Sequence, residues 1–199
     1  MNFATRHSRF SNLGRLLCLM AVLSLMTLLS SCSQHSVVSD SGSNPGKESK
    51  ITSLRDYDVQ MLDAPPVKLS QLTASNKVLV FDFWATWCGP CRVEIPHLVE
   101  LQRDYKDKGV EVIGLSIEDP KIHADLVRNF AKEMNINYQL GFASDEMFNT
   151  FTAGSGSIPQ TLIFDRNGRL VKHLRGIPRD PGVIKNWLRE GVDKALAQS

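Results

Sequence analysis

The chain has 199 residues, 42% of them hydrophobic and 22% charged, with a formal net charge of +2. That is enough apolar material for one well-filled core and too little for two. Three basic residues, Arg6, Arg9 and Arg15, precede residue 33 and no acid does, so from Ser33 onward 20 basic residues face 21 acidic ones. The balance gives no electrostatic case for a nucleic-acid partner.

Residues 1–32 read as an export signal. The arginines form a basic n-region, and Leu16 to Leu29 is an apolar run of 14 residues, short of the roughly 20 that span a bilayer as a helix. The boundary Leu29-Ser30-Ser31-Cys32 resembles the bacterial lipobox, which implies cleavage before Cys32 and diacylation of that cysteine. An uncleaved anchor helix and an ordinary signal peptide with a chance cysteine are the alternatives. Acyl chains contribute ~0.8 kcal/mol per buried CH₂, so the resemblance implies a lipid anchor on a bacterial membrane, facing the periplasm. By resemblance to enterobacterial lipoproteins, Ser33 in place of Asp favours the outer membrane. Cys18 would leave with the signal, so the exported domain keeps only Cys88 and Cys91 and no thiol for a structural bridge. Residues 33–50 are mostly Ser, Asn, Gly, Gln and Lys, with scarcely an apolar side chain. They read as a flexible tether with an r.m.s. span on the order of 23 Å.

The domain is expected over 51–199. Tyr57 to Met61 and Val67 to Leu69 predict two short strands joined across Pro65-Pro66, an N-terminal β-hairpin, with a helical turn from Ser70 through Leu72. Val78 to Trp84 is apolar on both faces apart from Asp82, as in a covered central strand. A helix from about Gly89 to Lys106 carries Ile95, Leu98 and Leu101 on one face, with Pro96 expected to kink it. A central insertion follows: strand Val110 to Ser116, helix Ile122 to Met134 with Leu126, Phe130 and Met134 at helical spacing, strand Tyr138 to Phe142, and a small helix Asp145 to Phe151. Thr161 to Asp165, the turn Arg166-Asn167-Gly168 and Leu170 to Leu174 predict a hairpin. A closing helix, Pro181 to Ala197, presents Ile184, Trp187, Leu188 and Val192. This order predicts an α/β fold with a central mixed sheet and helices on both faces.

Trp87-Cys88-Gly89-Pro90-Cys91 places two thiols where strand gives way to helix. A ring closed over so few residues is readily reduced, so thiol-disulfide exchange is expected rather than structural bracing. Cys88, at the helix N-terminus, meets unpaired N–H groups that favour its thiolate and make it the nucleophile. Cys91, one turn in, would resolve the mixed disulfide. Gly89 and Pro90 offer the thiolate no charge, which favours a reductant. A zinc half-site is the competing reading, but zinc wants about four ligands and no second CxxC or HxxxH is present. Arg92 stands where covalent haem attachment would need His. Burial of Asp82 would raise its pKa and make it a proton acceptor for Cys91, unless it lies hydrated at the strand's end. Glu94 is a tentative catalytic acid against the ordinary alternative of helix-dipole compensation. Trp84 reads as core, and His97, His123 and His173 as scattered surface or core residues.

Val80-Phe81-Asp82-Phe83-Trp84-Ala85-Thr86-Trp87-Cys88-Gly89-Pro90-Cys91 resembles the active-site stretch of thioredoxins. Arg92-Val93-Glu94-Ile95-Pro96, the two N-terminal strands and the insertion resemble the TlpA/ResA group of membrane-tethered thiol-disulfide oxidoreductases, across roughly residues 54–197. The resemblance implies a thioredoxin-like fold, a redox-active Cys88-Cys91 disulfide with no other cofactor and no metal, and Asp82 in place of the buried thioredoxin acid, which many TlpA/ResA-like proteins lack. It also implies a cis peptide before Pro159, with the Ile158 backbone beside Cys88. Trp87, Gly89, Pro90, Ile158 and Pro159 would then form a groove for an extended peptide. The implied partners are protein thiol or disulfide substrates and a membrane electron donor, with the protein a monomer; cytochrome c maturation is one compatible pathway. Two alternatives stand beside this one. A thiol peroxidase of similar fold would carry Pro-x3-Thr-x2-Cys, where this chain has Phe81 and Ala85; a copper-binding lipoprotein would use Cys88 and Cys91 as soft ligands.

Overall fold

A computed structural model describes residues 56–198. The expected export signal, Cys32, the expected tether and the first residues of the expected domain lie outside this range.

Strand β3 (Val78–Trp84) is buried at all seven positions and forms the middle of a seven-stranded mixed sheet. It pairs in parallel with β4 (Val110–Ser116), which pairs in parallel with β5 (Gln139–Phe142). On its other side it pairs antiparallel with β6 (Gln160–Phe164), and β6 with β7 (Leu170–Arg175). The N-terminal hairpin, β1 (Asp58–Met61) and β2 (Val67–Lys68), extends the β5 edge, so the order is β2-β1-β5-β4-β3-β6-β7.

Alternation along β3 sorts its side chains between two layers. Leu79, Phe81 and Phe83 face helices α1 (Leu69–Thr73) and α4 (Asp145–Thr152), in a cluster that includes Phe148, Phe151 and Phe164. Phe81 and Phe164, and Phe83 and Phe148, lie with ring centroids 5.5 Å apart, within the range where aromatic pairs add about 0.5–1.5 kcal/mol beyond burial. Val78, Val80, Asp82 and Trp84 face the other layer. There α2 (Gly89–Tyr105) contributes Leu98 and Leu101, and α5 (Gly182–Ala197) contributes Ile184, Leu188 and Val192. The third helix of this layer, α3 (Pro120–Glu133), places Val127 and Phe130 against Trp84.

Helix starts follow capping chemistry. Asp119 accepts from the Lys121 N–H ahead of α3, with Pro120 in its first turn, and Ser144 accepts from the Met147 N–H ahead of α4. The β6-β7 turn closes on Asp165, whose carboxylate accepts from the Asn167 and Arg169 N–H groups at 2.9 Å while Gly168 takes φ 72°. Pro96 lies inside α2 without ending it. The inward row of α3 differs from the sequence expectation. Leu126 is exposed, and the buried positions are Val127 and Phe130, with Ala124, Ala131 and Met134 partly buried beside them. Periodicity alone admits both rows, and packing against Trp84 and Phe142 selects one.

Candidate active site

The β3 strand delivers the dithiol by ending at Trp84, after which the Cys88 N–H turns back to the Ala85 carbonyl at 3.1 Å. Cys88 is the N-cap of α2, and its sulfur accepts from the Cys91 N–H at 3.1 Å, so the helix N-terminus is directed at Sγ as expected of an activated thiolate. Cys88 and Cys91 form a disulfide with Cα atoms 5.3 Å apart. Cys88 retains 4% exposure and Cys91 none. Trp87 projects into solvent beside them, 68% exposed, and Gly89 and Pro90 are exposed. The Ile158-Pro159 bond is cis; Pro159 is buried and Ile158 packs against the cluster that contains both cysteines.

Behind the disulfide lies a buried acid pair. Asp82 and Glu94 are each 1% exposed. Register explains their meeting: Asp82 stands in one row between Gly114 on β4 and Thr161 on β6, so Thr161 shares its face and donates to Glu94 Oε1 at 2.5 Å. Glu94 is therefore not a solvated dipole compensator at the start of α2. Burial pushes its pKa from 4.5 to about 7 against the opposing hydrogen bond from Thr161. Burial raises Asp82 well above the ordinary carboxylate range, and the Glu94 charge raises it further. Both Asp82 oxygens, Glu94 Oε2, the Tyr138 hydroxyl and Trp84 Nε1 are buried without a hydrogen-bond partner among the described residues. In such surroundings the neutral acid is the cheaper form. Gly114 makes room for this arrangement, since a Cβ there would come 2.7 Å from Leu140 Cδ2, 3.0 Å from Trp84 Nε1 and 3.1 Å from Tyr138 Cε2.

The loop opposite the dithiol is braced by Gln160, which donates through Nε2 to the Ser157 carbonyl at 2.8 Å and meets His173 Nε2 through its Oε1 at 2.8 Å. Burial holds His173 well below its usual value, at about 4, so it is neutral at pH 7. By sequence Thr161 and Tyr138 are only strand residues, and no role at the site falls to Thr161, Tyr138, Gln160 or Glu118. Each lies far from the CxxC along the chain, and a lone polar residue at a strand end carries no periodic signal. Among the described residues no group of three or more His, Cys, Asp or Glu side chains is placed to hold a metal. No described helix is long and apolar enough to cross a membrane.

A helix-capped CxxC disulfide facing a cis-proline loop on a mixed sheet defines a thioredoxin-fold domain with a redox-active disulfide site. The pattern of the AhpC/TSA family matches residues 52–173, and the chain belongs to that family. Among curated relatives it is similar to a thiol-disulfide oxidoreductase ResA of Bacillus cereus, 30% identical over 121 residues, which are 60% of this chain and 66% of that one. The match thus spans a little under two thirds of the relative. A solved thiol:disulfide interchange protein of the thioredoxin family from Chlorobium tepidum TLS superposes with TM-score 0.61 at 25% identity, covering 77% of this chain and 99% of that one. A secreted thiol-disulfide isomerase from Corynebacterium glutamicum shares the fold, with TM-score 0.60 at 19% identity, covering 78% of this chain and 96% of that one.

Proposed function

We propose that the protein is a membrane-tethered extracytoplasmic thiol-disulfide oxidoreductase acting as a reductase of protein disulfides. The observation that carries this reading is the Cys88-Cys91 pair at the N-terminus of α2, backed by the buried acids Asp82 and Glu94. The Cys88 thiolate attacks one sulfur of a substrate disulfide; the other sulfur leaves with the electron pair and takes a proton. Cys91, losing its proton to Asp82 in the fraction of molecules in which that carboxyl is ionised, then attacks Cys88 Sγ; the second substrate sulfur leaves with the electron pair and takes a proton from solvent, and the Cys88-Cys91 disulfide closes. Two electrons pass from the dithiol to the substrate, and a membrane electron donor returns them. Trp87, the Ile158 backbone and Pro159 border the groove in which an extended substrate segment would lie.

Similarity to ResA and to the interchange protein supports exchange chemistry. The uncharged Gly89-Pro90 pair supports the reducing direction. The lipobox-like Leu29-Ser30-Ser31-Cys32 supports a lipid anchor facing the periplasm, with Ser33 favouring the outer membrane, and the protein acts as a monomer. Phe81 and Ala85 are buried core residues and supply no hydroxyl at the position where the peroxidase pattern places Thr.

Insulin reduction by the reduced protein tests the activity, and Cys91→Ser should trap mixed disulfides through Cys88. Capture of apocytochrome c would place the protein in cytochrome c maturation. Stoichiometric Cu(I) binding with no disulfide reduction would replace the reading by the copper-binding one.

A further inference from the structure

The parallel ladder between β3 and β4 runs out at the hydrogen bond from the Ile117 N–H to the Trp84 carbonyl, 3.0 Å. Beyond it the chain to Cys88 has no neighbouring strand among the described residues, and Trp87, largely exposed, gains little from packing. A side chain takes over where the backbone ladder stops. Glu118, 7% exposed, accepts from the Thr86 N–H at 2.9 Å through Oε2 and from the Thr86 hydroxyl at 2.6 Å through Oε1. Ser116, fully buried, donates from Oγ to Glu118 Oε2 at 3.0 Å and accepts from the Glu118 N–H at 3.1 Å. This carboxylate is held by three donors and has no ion-pair partner among the described residues. Burying a charge on neutral donors alone is expensive, and only a fully satisfied geometry sustains it. Both oxygens reach the same residue, Thr86, two positions before the nucleophile.

We infer that Glu118 is a positioning residue for the dithiol: its carboxylate clamps Thr86 to the end of β4 and so sets where Trp87 and Cys88 meet a protein substrate. The inference rests on the exchange chemistry proposed above. It ties the substrate-facing loop to the segment that leads into α3, whose Asp119 cap follows Glu118 directly. A clamp on Trp87 matters for a large substrate that lies along the loop, and much less for a small reagent that reaches only the sulfur.

The test compares Glu118→Gln, Thr86→Val and Thr86→Ser with the parent chain in three measurements. In the oxidised protein, amide hydrogen exchange at Thr86 is expected to quicken about tenfold in Glu118→Gln, where an amide N–H replaces one acceptor, with Val80 and Leu115 unchanged. In the reduced protein, KM for insulin is expected to rise several-fold while iodoacetamide alkylation of Cys88 stays within about twofold of the parent. Thr86→Val, which removes one donor, should show the same pattern at smaller amplitude, and Thr86→Ser, which keeps the hydroxyl, should restore parent values. Unchanged exchange at Thr86 in Glu118→Gln and Thr86→Val overturns the clamp. So does a parallel fall in insulin reduction and alkylation, or a quickening that spreads equally through Val80 and Leu115. A parent protein that reduces no disulfide would remove the proposed function, and the exchange comparison would still decide the clamp.

Discussion

Glu94 makes the stability of this fold depend on pH in an unusual direction. Its folded-state pKa of about 7 lies above the ordinary 4.5, so between these values the folded protein holds a proton that the unfolded chain has released. The contribution is intact below pH 4.5 and is lost as pH rises through about 7. Linkage at ~1.36 kcal/mol per pH unit makes the loss about 2–3 kcal/mol between pH 5 and pH 8. Asp82, raised by burial and by Glu94, acts in the same direction. His173, depressed to about 4, acts oppositely: its contribution is intact above 6.5 and is lost as pH falls towards 4. Its partly exposed ring weakens that effect. Comparing the parent with Glu94→Gln at each pH cancels the histidine.

Urea unfolding of the oxidised protein, followed by tryptophan fluorescence, measures the difference. With a denaturant slope of about 2 kcal/mol/M, the parent midpoint should fall relative to Glu94→Gln by about 1 M urea between pH 5 and pH 8. Because removal of the Glu94 charge also relieves Asp82, Asp82→Asn and the double variant should show a non-additive effect. A parent-to-variant difference that stays constant across this range would refute the buried neutral acid.

Thr161→Val removes the donor that lowers the Glu94 pKa, so in the urea series the loss of stability should start at the same pH, continue to higher pH than in the parent and be larger in total. Asp82→Asn should leave the first attack by Cys88 unchanged and slow release of the mixed disulfide by about a hundredfold, the scale of a lost proton acceptor, as followed by rapid quench and gel separation. Gly114→Ala should cost about 1–3 kcal/mol of unfolding free energy, since Leu140, Trp84 and Tyr138 already close on that position. Recovery of full stability in that variant would show that the row beside Asp82 has slack.

Several features were legible because their signals are local. Mostly apolar runs with a single acid each, Asp82 and Glu111, set β3 and β4 at the expected residues, and the caps and turn residues bounded α4 and the β6-β7 hairpin to within a residue or two. The cysteine pair announced itself by spacing, and one acid inside the most hydrophobic strand marked Asp82 for burial. The face of α3 was misjudged because Leu126 and Val127 are both apolar and only a neighbour can choose between them. Glu94 was underread because an acid near a helix start is usually solvated, whereas Thr161, far along the chain, encloses it.

Local pattern in the chain was sufficient for the alternation of elements, the cysteine pair at a helix start and the family resemblance. These depend on covalent neighbours and on the two periods of the backbone. It took the folded arrangement to show that Asp82 and Glu94 are buried close enough to act on each other, that Thr161 and Gly114 flank Asp82 in the sheet, and that Glu118 carries the β4 ladder onward to Thr86. Desolvation and Coulomb interaction depend on distance through space, and sheet register, which sets those distances, joins segments that no local pattern links.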